Sequence, residues 1–440
     1  MGYMGRLGGG VALVLGAALL STAASATEGY FQNGIGARHK GLAGAGVADG
    51  RDATSVSLNP AGIVRAGNEL DFSASLFAPF RKFEGSGGPG FTPLGTVESE
   101  RELFVVPNIA RNWKITGSPW MDAFTLSMSG NGGMNTTYKA ITGGAACPIP
   151  GFGVFCGGDA GVDLTQILIS AGIAKRFGNF SVGVAPTLAV QFFEARGLAA
   201  FAGPPSPGSV SPTNLTNNGH DIAVGGGVRA GVEWSVAPGF RVGVAGATPI
   251  WSQSFDDYRG LFAEGGGFDI PANVQAGIAV DLSPNLTVML DYRRIWFSSI
   301  DSVGNPSTNL LFGNQLGAAN GPGFGWDDVD TIKVGVEWRA SDKATLRAGY
   351  AYNTQPVKSR DVMFNILAPA VSQHHITGGL TYRMSDNWDM EFAGMYSPRG
   401  SVSGLEFPFV NPNHTIDLSM YQFEATIGFK YRFDSPEPLK

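Results

Sequence analysis

Charge is scarce in this chain. Asp, Glu, Lys and Arg make up 15% of its 440 residues, against about 25% in ordinary soluble proteins. Positive charge is not in excess either. The net charge of -6 leaves no basic surface to neutralise phosphates, which excludes a nucleic-acid partner. Two cysteines are too few for a disulfide scaffold or a four-thiolate zinc site. Five histidines, with no GxSxG elbow and no HExxH pair, give no signal for a hydrolase and imply no metal or cofactor. Beyond the N-terminus there is no uncharged apolar run of the roughly 18 residues a membrane helix needs, so helices do not carry this chain across a bilayer.

What is present is apolar residues and glycine. The chain is 43% hydrophobic, which excludes disorder. Its 64 glycines are about twice the usual ~7% share. Residues 1–26 read as a signal peptide: Arg6, an apolar stretch from Leu7 to Leu20, then the small-residue cleavage pattern Ala24-Ser25-Ala26. The apolar stretch is shorter than the roughly 20 residues of a membrane anchor. An exported chain that is apolar but lacks membrane helices can still enter a bilayer by closing a β-barrel, because a closed sheet satisfies every backbone group strand to strand.

The alternation supports a barrel. Tyr421, Phe423, Ala425, Ile427, Phe429, Tyr431 and Phe433 fall on one face, and Gln422, Glu424, Thr426, Gly428, Lys430 and Arg432 on the other. That period of two outlasts most soluble strands and is bounded by aromatics, as a membrane-crossing strand should be. It recurs around Ile332–Arg339, Leu346–Tyr352, Ile376–Arg383 and Ile222–Trp234. Short turns fall at Thr116–Trp120, Gly178-Asn179, Ala237–Gly239, Ser283–Asn285, Ala340–Lys343 and Ser385–Asn387. Long loops are expected near Arg81–Glu100, Tyr138–Val162, Gly197–Asn218, Arg259–Phe268, Asp301–Val329, Thr354–Gln373 and Arg399–Ser419. This predicts an all-β fold: a 14-stranded antiparallel transmembrane barrel over residues 68–433, with both termini on the short-turn side. A soluble β-sandwich would have shorter strands and more even turns. Residues 434–440 carry two prolines and read as a short periplasmic tail.

Residues 27–67 show no alternation and are rich in small side chains. They are either a periplasmic tail or a plug inside the lumen; small residues allow the close packing a plug needs. This region carries a resemblance. Gly29-Tyr30-Phe31, Gly41-Leu42-Ala43-Gly44-Ala45-Gly46-Val47-Ala48-Asp49, Asp52-Ala53-Thr54 and Leu58-Asn59-Pro60-Ala61-Gly62 resemble the start of the FadL family of outer-membrane channels. Ile270–Val274, Leu346–Val357 and His374–Arg383 are similar to later stretches of the same family.

The resemblance implies a fourteen-stranded barrel in the outer membrane of a Gram-negative bacterium, with residues 27–67 as an N-terminal hatch plugging the lumen. It implies passive uptake of long-chain fatty acids or of aromatic or aliphatic hydrocarbons. Such ligands are captured on extracellular loops, pass a pocket at the start of the hatch, and leave sideways through a kinked third strand. The implied partners are a hydrophobic small molecule, outer-membrane lipid and lipopolysaccharide, and the outer-membrane assembly machinery, with the channel acting as a monomer.

The candidate residues follow, each with its plainer alternative. Tyr30 and Phe31 would meet the ligand at the hatch end, or else belong to a loose terminus. Asn59, Pro60 and Ala61 read as a rigid turn joining hatch to barrel. Gly130, Asn131, Gly132 and Gly133 interrupt the third strand, as a bulge opening the wall or as the start of a loop. Leu198, Phe201, Leu261 and Phe262 match the two family loops that form the capture groove; exposed apolar side chains there would serve capture, or the loops pack on each other. Cys147 and Cys156 share one loop in an oxidising compartment, which favours a disulfide. Inward charges such as Arg229, Arg293, Lys333 and Glu337 either bond the hatch or include one cation for a ligand carboxylate. Two other function classes stay in view: a general diffusion porin for polar solutes, and an outer-membrane lipid hydrolase.

Overall fold

The computed structural model describes residues 28–140, 152–203, 208–408 and 410–434. The predicted signal peptide, Cys147 and nearly all of the predicted tail lie outside the described residues. Among those described, no helix is long and apolar enough to cross a membrane. Fourteen strands form one antiparallel barrel wall: β1 Glu69–Gly87, β2 Phe104–Lys114, β3 Ala123–Asn135, β4 Gly161–Phe177, β5 Phe180–Arg196, β6 Asp221–Ala237, β7 Phe240–Ala247, β8 Asn273–Ser283, β9 Leu286–Ile295, β10 Val329–Arg339, β11 Ala344–Asn353, β12 His374–Arg383, β13 Trp388–Phe407 and β14 Asn411–Arg432. Each pairs with the next, and β14 closes on β1 through a register running from Glu69↔Arg432 to Gly87↔His414. Two short strands lie off the wall: Gly95–Glu98 pairs with β1 and Trp251–Ser252 with β6. The barrel and its strand count agree with the sequence reading.

The faces follow the alternation. On β14, Gln422, Glu424, Thr426, Gly428 and Lys430 are buried, whereas Phe423 and Ile427 are exposed. On β10, Lys333 and Glu337 point in while Ile332, Val334 and Trp338 point out. An outward surface of Val, Ile, Leu, Tyr and Trp around a closed wall needs an apolar solvent, and lipid supplies it. Stacked pairs such as Phe80–Tyr421 and Tyr396–Phe423 tie neighbouring strands on this surface.

Three loop boundaries differ from expectation, and one is that β7 ends at Ala247, so the loop before β8 begins well ahead of Arg259. Residues 399–419 do not form a long loop: β13 and β14 stay paired as far as Phe407↔Asn411. β1 likewise continues past Arg81 to Gly87. Past the bilayer both faces of a strand meet water or loops, so Ser, Gly and Thr replace the apolar alternation and the pattern fades while the ladder continues.

Residues 28–67 run inside the wall. Asp52 caps the short 3₁₀ turn Ala53–Ser57, its carboxylate accepting from the Ser55 amide; Asn59 caps the next, Pro60–Arg65, with Pro60 at the first position. Inward glycines let this segment approach the strands. A Cβ on Gly183 of β5 would lie 2.4 Å from the Ala61 amide nitrogen, and one on Gly243 of β7 would lie 2.3 Å from the Val47 carbonyl oxygen. Part of the high glycine content is therefore space for a second layer of chain.

Candidate functional site

Five attachments, among others, fix the leading segment to the wall. Arg38 donates to Glu337 at 2.9 Å and to Asp49 at 2.6 Å. The Asp291 carboxylate accepts from the Gly46 and Val47 amides at 2.8 and 2.9 Å. Lys40 pairs with Glu424, and Arg65 with Glu233. The Asn59 amide donates to the Val47 carbonyl and to the Val232 carbonyl of β6. It therefore bridges segment and wall, beyond forming the rigid turn read from Asn59-Pro60-Ala61. Four inward charges, Glu233, Asp291, Glu337 and Glu424, are taken up in this way. Arg229 enters no ion pair among the described residues; it donates to the Leu58 carbonyl and to Asn273.

Among the described residues, one interruption of the wall lies between β2 and β3. The β2–β3 ladder ends at Asn108↔Ser129. Above it, Phe104–Pro107 pair only with β1, and Gly130–Asn135 pair only with β4, across a bulge between Gly130 and Gly132. Pro107 has no N–H to donate. It is a break signal that the sequence reading passed over.

The start of the leading segment occupies this seam. Phe31 forms an antiparallel bridge with Gly132. The Gln32 amide donates to the Asn131 carbonyl at 3.0 Å, and the Gly133 amide donates to the Tyr30 carbonyl at 3.1 Å. The Gln32 side-chain amide donates to the Gly130 carbonyl. Tyr30–Gln32 thus takes the place that β2 leaves vacant. Two residue groups singled out separately in the sequence, Tyr30 with Phe31 and Gly130–Gly133, meet here. Both aromatics are fully buried, and burial lifts the Tyr30 hydroxyl above the usual phenol range.

An aromatic chain leads from the loops to this point. Ring centroids are 4.5 Å apart for Phe193–Phe262, 4.7 Å for Phe262–Phe268, 6.1 Å for Phe268–Tyr30 and 5.3 Å for Tyr30–Phe31. At its outer end Leu198, Phe201, Leu261 and Phe262 gather around a cavity with about 480 Å³ of empty space, almost wholly apolar and also lined by Phe324, Phe364 and Leu367. The expectation of exposed apolar loop residues is corrected here. Leu198, Phe201 and Phe262 are buried against the neighbouring loops, and the apolar surface faces a pocket rather than open solvent. At its inner end a larger hollow, with about 900 Å³ of empty space that is partly open to solvent, lies behind the seam, lined by Phe31, Gln32, Asn131, Leu168, Ile250, Arg229 and Arg293.

Cys156 is disulfide-bonded; Cys147 lies outside the described residues. Among the described residues no group of three His, Cys, Asp or Glu side chains is placed to hold a metal.

A closed antiparallel barrel with an apolar outer belt and a chain-filled bore is an outer-membrane β-barrel protein. Residues 262–403 match the family described as outer membrane protein transport protein (OMPP1/FadL/TodX), so the FadL-family resemblance read from the sequence is borne out. No curated protein matches the chain in sequence. The solved structure of the P. putida toluene transporter TodX is 16% identical with a TM-score of 0.64, covering 92% of this chain and 100% of that one. A Pseudomonas aeruginosa FadL homologue is 16% identical with a TM-score of 0.65, at 92% and 100% coverage. The Ralstonia pickettii toluene transporter TbuX is 18% identical with a TM-score of 0.59, at 91% and 99%. At these identities the structures establish the fold.

Proposed function

We propose that this protein is a monomeric outer-membrane channel for passive uptake of hydrophobic molecules, either long-chain fatty acids or aromatic or aliphatic hydrocarbons. The loop pocket around Leu198, Phe201, Leu261 and Phe262 captures the ligand. Residues 28–67 act as the hatch. The exit is lateral, between β2 and β3, into the bilayer. The observation that carries this reading is the seam: Tyr30–Gln32 supplies by backbone hydrogen bonds the strand that the wall lacks, at the inner end of the aromatic chain. A lateral exit suits the cargo. Each CH₂ kept out of water is worth about 0.8 kcal/mol, which a watery pore to the periplasm would forfeit.

Locking the seam tests the reading. In a background with Cys147 and Cys156 replaced by serine, the pair Phe31→Cys and Gly132→Cys joins bridge partners. Oxidised cells should lose uptake of radiolabelled oleate and toluene, and reduction should restore it. Equal uptake in both redox states would rule out exit through this seam.

A further inference from the structure

The end of the barrel that carries the short turns, where β1 starts and β14 finishes, holds a separate hollow. It has about 1220 Å³ of empty space, partly open to solvent, and reaches the turns at Pro284-Asn285 and Ser341–Lys343. In an outer-membrane barrel the short-turn end faces the periplasm. The leading segment contributes Arg38 and Arg51 to its lining, and the wall contributes Arg339 from β10, Arg347 from β11 and Arg383 from β12. Pro284 is the one apolar residue among those that line it. An apolar cargo has nothing to rest against here.

Three of the four carboxylates in the lining are already engaged. Glu337 meets Arg38 at 2.9 Å and Arg347 at 2.7 Å. Asp389 accepts from both Nη atoms of Arg432, and Glu391 accepts from the Thr381 hydroxyl at 3.0 Å. The fourth, Asp342, is exposed on the β10–β11 turn. Two guanidiniums are left over. Among the described residues that of Arg339, which lines the hollow, enters no hydrogen bond or ion pair. That of Arg383 makes no hydrogen bond; an Asp389 oxygen stands 3.8 Å from its Nε, which is shielded from solvent and has no hydrogen-bond partner.

The register sets the two side by side. Arg339 pairs with Thr345, and Thr345 with Thr381, two residues before Arg383. Arg339 and Arg383 thus stand two strands apart on the inward face, roughly 10 Å along the sheet. A guanidinium keeps its charge and offers its donors in a planar fork. A recess lined largely by one sign of charge concentrates counter-ions. Water can fill the donors but cannot balance the charge. An oxyanion with two or more charges does both, because its bonds to arginine are charge-assisted and often bidentate.

We propose that Arg339 and Arg383 bind a small, hydrophilic, multiply charged oxyanion, of the diphosphate or phosphate-ester class, at the periplasmic mouth of the barrel. Thr345 between them and Lys343 on the turn complete the site. It is distinct from the loop pocket and from the seam, and its occupant is not the hydrophobic cargo.

Calorimetric titration of the full-length processed protein in a neutral maltoside detergent at pH 7.5 and constant ionic strength tests this, with inorganic pyrophosphate as the probe. The wild type should bind pyrophosphate and show no binding of acetate. Arg339→Gln and Arg383→Gln should each weaken pyrophosphate by about tenfold. Arg339→Lys, which keeps the charge and loses the fork, should fall between the wild type and Arg339→Gln. Arg176→Gln removes the same charge at the end of β4, outside this lining, and should leave binding unchanged. Heat-modified gel mobility checks that each variant folds as a barrel. No binding of pyrophosphate to the wild type, or an equal loss in Arg176→Gln, would overturn the site. Competition by octanoate would overturn it too, since the two arginines would then belong to the cargo path.

Discussion

The Lys333 ammonium lies 2.6 Å from the Glu28 carboxylate, which also meets Arg293 at 3.2 Å. Glu28 and Lys333 are both buried. The pair ties the chain to β9 and β10 two residues before Tyr30, and so holds the seam-filling residues in register. Removing Lys333 leaves Glu28 with Arg293 as its one counter-ion, a smaller loss than the roughly 3–5 kcal/mol of a fully orphaned buried charge. Lys333→Met should therefore loosen Tyr30–Gln32 while the barrel survives. In planar bilayers the wild type should show little steady ion current, because the leading segment fills the bore. The variant should show more frequent openings. A wild type that conducts steadily like a water-filled porin would refute the hatch.

Segment and wall are fitted at glycine. Gly183→Leu drives a side chain into the backbone at Pro60 and Ala61, and overpacking of this kind costs about 1–3 kcal/mol. The barrel-to-unfolded transition, read by heat-modified gel mobility, should fall in temperature. Gly226→Ala on β6 meets nothing within 4 Å and should leave that temperature unchanged. Equal behaviour of the two would mean the segment does not press on the wall.

Acid should release the segment. Burial raises the Asp52 carboxyl, but His39, Lys430 and Arg38 outweigh it and hold the group well below the ordinary carboxylate range. A carboxyl lowered in the folded state contributes stability above its unfolded pKa, near 3.9, and loses it as pH falls through the folded value. Protease access to residues 28–67 should thus stay low from neutral pH down to about pH 4 and rise below it. Asp52→Asn should be more accessible at neutral pH and flatter with pH. Identical profiles would remove Asp52 from the docking.

The barrel was legible because lipid on one side and polar chain on the other impose a period of two, which shows wherever the wall crosses the bilayer, as at Phe423–Lys430. It faded where strands rise above the membrane, which is why β13 and β14 were cut short and Arg81 was assigned to a loop. The residues that meet at the seam were each singled out in the sequence: Tyr30 and Phe31 by resemblance, Gly130–Gly133 by the break in alternation. Their meeting was not, since the bridge joins residues about a hundred positions apart through backbone atoms common to all side chains. Pro107 was the one local sign that β2 would leave a neighbour unpaired.

Capture and exit should separate kinetically. Phe262 stands where the aromatic chain turns inward, touching Phe193 on one side and Phe268 on the other. Truncation to alanine removes a ring from a buried loop cluster, a change that costs about 3–5 kcal/mol in well-packed cores, and leaves the seam untouched. If the loop pocket only collects ligand, Phe262→Ala lowers the occupancy of the channel at a given external concentration. Uptake should need several-fold more oleate to reach half its maximum, and the maximum should remain. Phe31→Ala acts at the other end, on the residue bridged to Gly132, and should alter the maximum while leaving the half-saturating concentration near that of the wild type. Concentration series for the two variants in the same cells decide the order of steps. A Phe262→Ala channel whose maximum falls with its half-saturation unchanged would place that ring at the exit rather than at capture, and the direction of travel along the aromatic chain would have to be redrawn.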